Sequence, residues 1–139
     1  MSSGAARWRL GLSAAGAVVS VYLTLVHYTT AVPLVCPAHG VIDCAQVLTS
    51  PQSVLLGLPL GAWGLLWFLV MGGLTIAAER GDGSGGERIA AWRRAWVGLG
   101  AVAVVYFIYL ELLVIGKLCL WCTSVHVLVL ALLLLEGLG

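Results

Sequence analysis

Cys119 and Cys122 are separated by Leu120 and Trp121 at the start of the last apolar stretch of the chain. On a helical turn, two thiols at this spacing face each other and can close a small disulfide. A helix start there supplies backbone N–H groups and a positive dipole end beside Cys119, which favour its thiolate. The stretch itself, residues 118–135, is bilayer-spanning in character, so the pair is expected where a membrane meets water. A dithiol in that place can react with an aqueous protein on one side and a lipid-soluble oxidant on the other. A second and wider pair, Cys36-x7-Cys44, occurs earlier in the chain.

The elements that must position these thiols are apolar. Of 139 residues 61% are apolar and only 9% charged, where a soluble domain carries about 25% charged residues. The chain therefore reads as an all-α integral membrane protein. A net charge of +1 gives no reason to expect a nucleic-acid partner. Four spans are expected over residues 10–32, 60–78, 95–116 and 118–135. The first exceeds the apolar region of a cleaved signal peptide, about 7–15 residues, although Arg7 and Arg9 precede it.

Residues 33–58 form a loop in which Asp43 is placed to cap a short helix beginning at Cys44 and stopped by Ser50-Pro51. Val54, Leu55 and Leu56 make the end of this loop apolar, so it is expected to lie on the membrane surface. Pro59 suits the first turn of the second span, and Trp63 and Trp67 near its start read as interface anchors. Residues 79–94 read as a polar linker, flexible through Gly81-Asp82-Gly83-Ser84-Gly85-Gly86.

Arg7 and Arg9 precede span one, and Arg80, Arg88, Arg93 and Arg94 fall between spans two and three; with four spans, these lie on one side and Lys117 alone on the other. The positive-inside rule then puts both termini in the cytoplasm of a multi-pass plasma-membrane protein. All four cysteines fall on the outer face, where disulfides form and persist.

Three readings of the cysteines compete. They could form two inert disulfides in a non-catalytic membrane scaffold. They could bind zinc, although Cys36-x7-Cys44 lacks the short spacing of a zinc knuckle. Or they could form a relay, with one pair on a mobile loop reaching a protein partner and the other fixed beside an electron acceptor. Cys122 is the deeper thiol of its pair and the better placed to meet a ring in the bilayer interface. His126, four residues on, shares its face and could hydrogen-bond a quinone carbonyl. Glu111 is an ionisable group at membrane depth and hence a functional candidate; it could hold a proton for the reduced quinone, or pair with His27 or His126. Lys117 could stabilise a thiolate or snorkel to the interface.

Together these residues resemble the vitamin K epoxide reductase family. The resemblance rests on Cys36-x7-Cys44, Ser50 six residues after the second cysteine, Gly57-x-Pro59 opening span two, and Cys119-x-x-Cys122 opening span four. Tyr106-Phe-Ile-Tyr-Leu-Glu111 looks like the bacterial branch of that family. The resemblance implies a four-helix bundle around a quinone pocket with the outer loop over its mouth. It further implies that electrons enter at Cys36/Cys44 from a thioredoxin-fold partner, pass to Cys119/Cys122 and leave from Cys122 to quinone. Ser50 looks like the family's loop serine, and Ser50, Tyr109, Glu111 and His126 are the candidates for quinone contact.

The order of motifs differs from quinone-linked disulfide generators of the DsbB type, in which the CxxC comes first. The animal enzymes hold vitamin K with an asparagine in span two and a tyrosine four residues after the last cysteine. Here there is no asparagine, and His126 occupies the latter position, which argues against vitamin K epoxide as substrate. Many bacterial relatives carry a fused thioredoxin-like domain; this chain ends at Gly139, so a branch without that fusion and a separate partner are expected. The expected protein, one domain over residues 1–139, is thus a quinone-dependent thiol–disulfide oxidoreductase. It would reoxidise a secreted thioredoxin-like protein, with ubiquinone or menaquinone as acceptor and no metal. The alternative within enzymes is a reductase acting for the quinone product.

Overall fold

The computed structural model describes residues 3–138; Met1, Ser2 and Gly139, which the expected domain includes, lie outside them. Four long helices form an antiparallel bundle: α1 (Ser3–Tyr28), α3 (Leu60–Arg80), α4 (Gly83–Tyr109) and α5 (Leu120–Leu138). All four are long and apolar enough to cross a membrane, so this is a multi-pass membrane protein. Even the shortest, α5 with 19 residues, rises roughly 28 Å at about 1.5 Å per residue, close to the ~30 Å hydrocarbon core.

Between α1 and α3 lie the short helix α2 (Cys44–Leu48), a 3-10 turn over Pro51–Ser53, and a two-stranded ribbon of β1 (Val54–Leu55) and β2 (Leu58–Pro59). Asp43 caps α2 as expected, its carboxylate accepting from the Gln46 N–H at 3.0 Å.

Small residues set the approach of α1 to α3. Ser13, Gly16 and Ser20 are buried on one stripe of α1, and the Phe68 ring occupies the space that a Cβ at Gly16 would need. Such small-residue stripes let membrane helices pack where no hydrophobic force draws them together. The central core is Phe68, Met71, Val97, Val104, Val129 and Leu132.

Two expectations are corrected. The linker expected over residues 79–94 contracts to the turn Gly81–Asp82, because α4 begins at Gly83. The glycines there serve close approach: a Cβ on Gly81 would sit 2.8 Å from the Gly86 Cα. Trp67 is not an interface anchor. Its ring stacks on Trp96, centroids 6.4 Å apart, and Trp96 donates its indole N–H to the Trp67 carbonyl at 3.1 Å. Trp63 donates to the Leu55 carbonyl at 2.9 Å, pinning the ribbon to α3.

The two ends of the bundle differ in chemistry. One carries the loop of residues 29–59 and the turn between α4 and α5, and with them every cysteine. The other carries buried Arg9 and Arg93, whose Nε atoms lie 2.8 and 2.7 Å from the same Glu136 oxygen.

Candidate functional site

The α4–α5 connection is built to present Cys119 and Cys122. After Tyr109 the helix widens into a π turn over Leu110–Ile115, closed by Gly116 in the left-handed region at φ 75°. A residue with a Cβ would be strained there. The widened turn brings the Glu111 side chain round to the start of α5, where its Oε2 accepts from the Cys119 N–H at 3.1 Å. The Glu111 carbonyl accepts from Lys117 N–H at 3.0 Å, so one residue closes the turn with its backbone and caps the next helix with its side chain. π turns of this kind recur at functional sites.

The cysteine loop is hydrogen-bonded directly to this connection. Asp43 N–H donates to the Leu118 carbonyl at 2.9 Å, and Leu118 N–H donates to the Val41 carbonyl at 2.7 Å. Lys117 Nζ donates to the Gly40 carbonyl at 2.8 Å. The expected mobility of the loop is thereby limited, for residues 40–43 are strapped to the residues just before α5.

Cys36 and Cys44 are joined as a disulfide, Cα atoms 6.1 Å apart, while Cys119 and Cys122 are free thiols. Cys44, Val47 and Cys119 form one buried cluster with Cys36, Trp121 and Cys122 packed against it. Within each pair the environments differ. Cys44 is 1% exposed and Cys119 0%, whereas Cys36 is half-buried. Cys122 N–H donates to the Cys119 sulfur at 3.3 Å. Cys119 precedes the span, and its pKa is lowered chiefly by a hydrogen bond from the Cys122 side chain, against the opposing effect of burial.

Cys122 opens on the other side onto an apolar cavity of about 440 Å³ inside the bundle, within the ~300–1,000 Å³ usual for small-molecule sites. Glu111, His126 and Ser50 line the same cavity, with Trp63, Phe107 and His27. His126 stacks on Phe107 with ring centroids 6.4 Å apart and planes within 9°. Ser50 donates its hydroxyl to the Val47 carbonyl at 2.6 Å, and its own carbonyl accepts from Ser53 Oγ at 2.7 Å; it knits the loop together beside the cavity.

The structure thus brings Cys122, His126, Glu111 and Ser50 to one cavity, and Cys36, Cys44 and Cys119 to the cluster above it. Tyr109 is not brought in: it is 51% exposed on the outward face of α4, off the cavity wall. A few polar groups on an otherwise apolar wall suit a flat, lipid-soluble ring with carbonyl oxygens, the chemistry of a quinone.

Two residues of the site were missed from sequence. Trp121 donates its indole N–H to the Val35 carbonyl at 2.8 Å and packs on Tyr22, ring centroids 4.9 Å apart. The one available signal was the tryptophan inside the Cys119-x-x-Cys122 motif. Tyr22, in the middle of an apolar run, gave none.

A loop disulfide beside a free dithiol, on a four-helix membrane bundle, fits a thiol–disulfide oxidoreductase. Residues 7–136 match the vitamin K epoxide reductase family; the chain therefore belongs to that family of membrane oxidoreductases.

Proposed function

We propose that this protein is a quinone-dependent thiol oxidant that reoxidises a thioredoxin-fold partner and so supports disulfide formation in exported proteins, as in the bacterial branch of its family. The observation that carries this reading is the division of the α5 thiols: Cys119 packs against Cys44, while Cys122 faces the cavity. Two sulfurs one turn apart then connect a protein-facing disulfide with a lipid-accessible acceptor.

The same contrast in burial supports one order of exchange. The half-exposed Cys36 meets the partner, whose dithiol is oxidised as the Cys36–Cys44 disulfide opens. Cys44, buried against Cys119, then attacks the sulfur of Cys119 in an oxidised Cys119–Cys122 pair and releases the Cys122 thiol. Cys36 attacks Cys44 in turn, which restores the loop disulfide and frees the Cys119 thiol. The result is a loop disulfide above a reduced pair, the arrangement in the structure. A bound quinone supplies a two-electron, two-proton acceptor, and the dithiol gives up both as it closes. With a quinone bound, His126 would donate a hydrogen bond to one of its carbonyl oxygens, and Glu111 would hold a proton beside Cys119. Phe107 stacks on the imidazole.

Orientation follows from charge. Arg7, Arg80, Arg88 and Arg94 lie toward the end opposite the cysteines, which by the positive-inside rule supports a cytoplasmic position for that end, with the cysteines outside the plasma membrane.

The test is quinone absorbance loss by purified protein supplied with a reduced thioredoxin-fold protein or with a small dithiol. Consumption that prefers the protein and needs all four cysteines supports the proposal. Preference for the small dithiol favours a reductase acting for its quinone product, and turnover that survives Cys122→Ser rejects the route.

A further inference from the structure

The segment just before Cys36 is held by side chains from two different helices. Tyr22, on α1, donates its hydroxyl hydrogen to the Pro33 carbonyl at 2.9 Å, and the same oxygen accepts from the Val35 N–H at 2.9 Å. The Val35 carbonyl accepts from the Trp121 indole at 2.8 Å. The two rings that make these bonds touch each other. Three backbone groups, on Pro33 and Val35, are therefore fixed by one aromatic pair, although Val35 is itself 69% exposed and has little burial to hold it. On the other side of Cys36, residues 40–43 are strapped to Lys117 and Leu118. Only Cys36–Ala38 is left between the two fixed points, because His39 and Ile42 exchange backbone hydrogen bonds at 3.0 and 3.2 Å.

We infer that Tyr22 and Trp121 are positioning residues for the relay, a clamp that keeps Cys36 within reach of Cys44 while the loop disulfide is open. An opened loop disulfide would otherwise leave Cys36 on a segment free from the end of α1 to His39, and ring closure would bear the entropy of that freedom. With Val35 anchored, the Cys36 thiol stays at high effective concentration beside Cys44. Trp121 lies between the two cysteines of the inner pair, so the clamp also ties the Cys36 arm to the turn that receives its electrons. This inference rests on the relay proposed above, but its test does not involve quinone.

Quinone-free full-length protein is equilibrated with glutathione buffers, and the oxidised fraction of each cysteine pair is read by differential alkylation and mass spectrometry. In this equilibrium two glutathione thiols are oxidised to one glutathione disulfide as Cys36–Cys44 becomes two thiols. Tyr22→Phe keeps the ring and removes the hydroxyl; Trp121→Phe removes the indole donor. Each is expected to shift the loop-pair equilibrium toward the dithiol by about three- to tenfold, the range of a lost hydrogen bond. Tyr22→Phe is expected to leave the Cys119–Cys122 equilibrium and the melting temperature unchanged. The double variant is expected to shift the loop pair by less than the product of the single effects, because both side chains hold one segment.

A loop-pair equilibrium at the wild-type value in both single variants overturns the inference. So does a shift matched in the inner pair, since that reports a general loosening of the fold. If the shift is found while quinone turnover is absent, the clamp stands and the relay's acceptor is wrong.

Discussion

One carboxylate oxygen of Glu111 accepts a hydrogen bond from the Cys119 backbone N–H at 3.1 Å, reaching across eight residues and out of a widened helical turn. That bond makes Glu111 both a wall of the cavity and the cap of the helix carrying the inner thiols. Removing the acceptor leaves a buried N–H without this partner, which costs about 1–3 kcal/mol. Glu111→Ala is expected to lower stability in detergent by that amount. Glu111→Gln keeps an acceptor and should unfold close to wild type, yet lose about tenfold or more in quinone turnover through the missing proton carrier. Equal turnover in Glu111→Gln and wild type would leave Glu111 as a helix cap alone.

His126 reaches the cavity one turn beyond Cys122 and stacks on Phe107. His126→Ala is expected to raise the quinone KM severalfold with a smaller effect on kcat, as loss of binding rather than chemistry requires. A steady-state titration with quinone checks this, and an unchanged KM would make His126 a packing residue.

At the opposite end, Glu136 is shared by two buried arginines, Arg9 at 1% and Arg93 at 0% exposure. Taking away a buried partner charge costs about 3–5 kcal/mol. Glu136→Ala is expected to destabilise the bundle on that scale, measured by thermal unfolding in detergent, while a Glu136→Ala protein that remains folded keeps its loop-pair redox equilibrium. A melting temperature equal to wild type would show the arginines to be satisfied by other groups.

The α1–α3 contact is equally specific. Gly16→Ala places a methyl group in the Phe68 ring, an overpacking expected to cost about 1–3 kcal/mol. The same substitution at Gly98, where a Cβ meets nothing within 4 Å, should be neutral or slightly stabilising, and a differential scan of the two variants compares them directly.

The four helices and the common end of the cysteines were legible in the sequence because bilayer length and hydropathy are properties of runs, and runs survive any detail of packing. Asp43 announced the cap of α2 for a similar reason, since that interaction is local. The glycines of 81–86 misled: composition cannot distinguish a glycine that gives freedom from one that lets two backbones touch. Tyr109 misled in the opposite way. It shares a motif with Glu111, but the helix turns it outward while the π turn carries Glu111 inward, and no periodicity read from sequence contains that turn. Tyr22 and Trp121 are 99 positions apart by their numbers, and only the fold puts their rings together.

On the proposed route, electrons cross from the loop to α5 between Cys44 and Cys119. The measurement that meets it most directly is a trap: full-length protein carrying Cys36→Ser and Cys122→Ser, which lacks both resolving thiols, is oxidised and its cross-links are mapped by mass spectrometry. A dominant intramolecular Cys44–Cys119 disulfide is the predicted result. Cys44 and Cys119 remaining unlinked under conditions that oxidise the wild-type pairs would contradict the account.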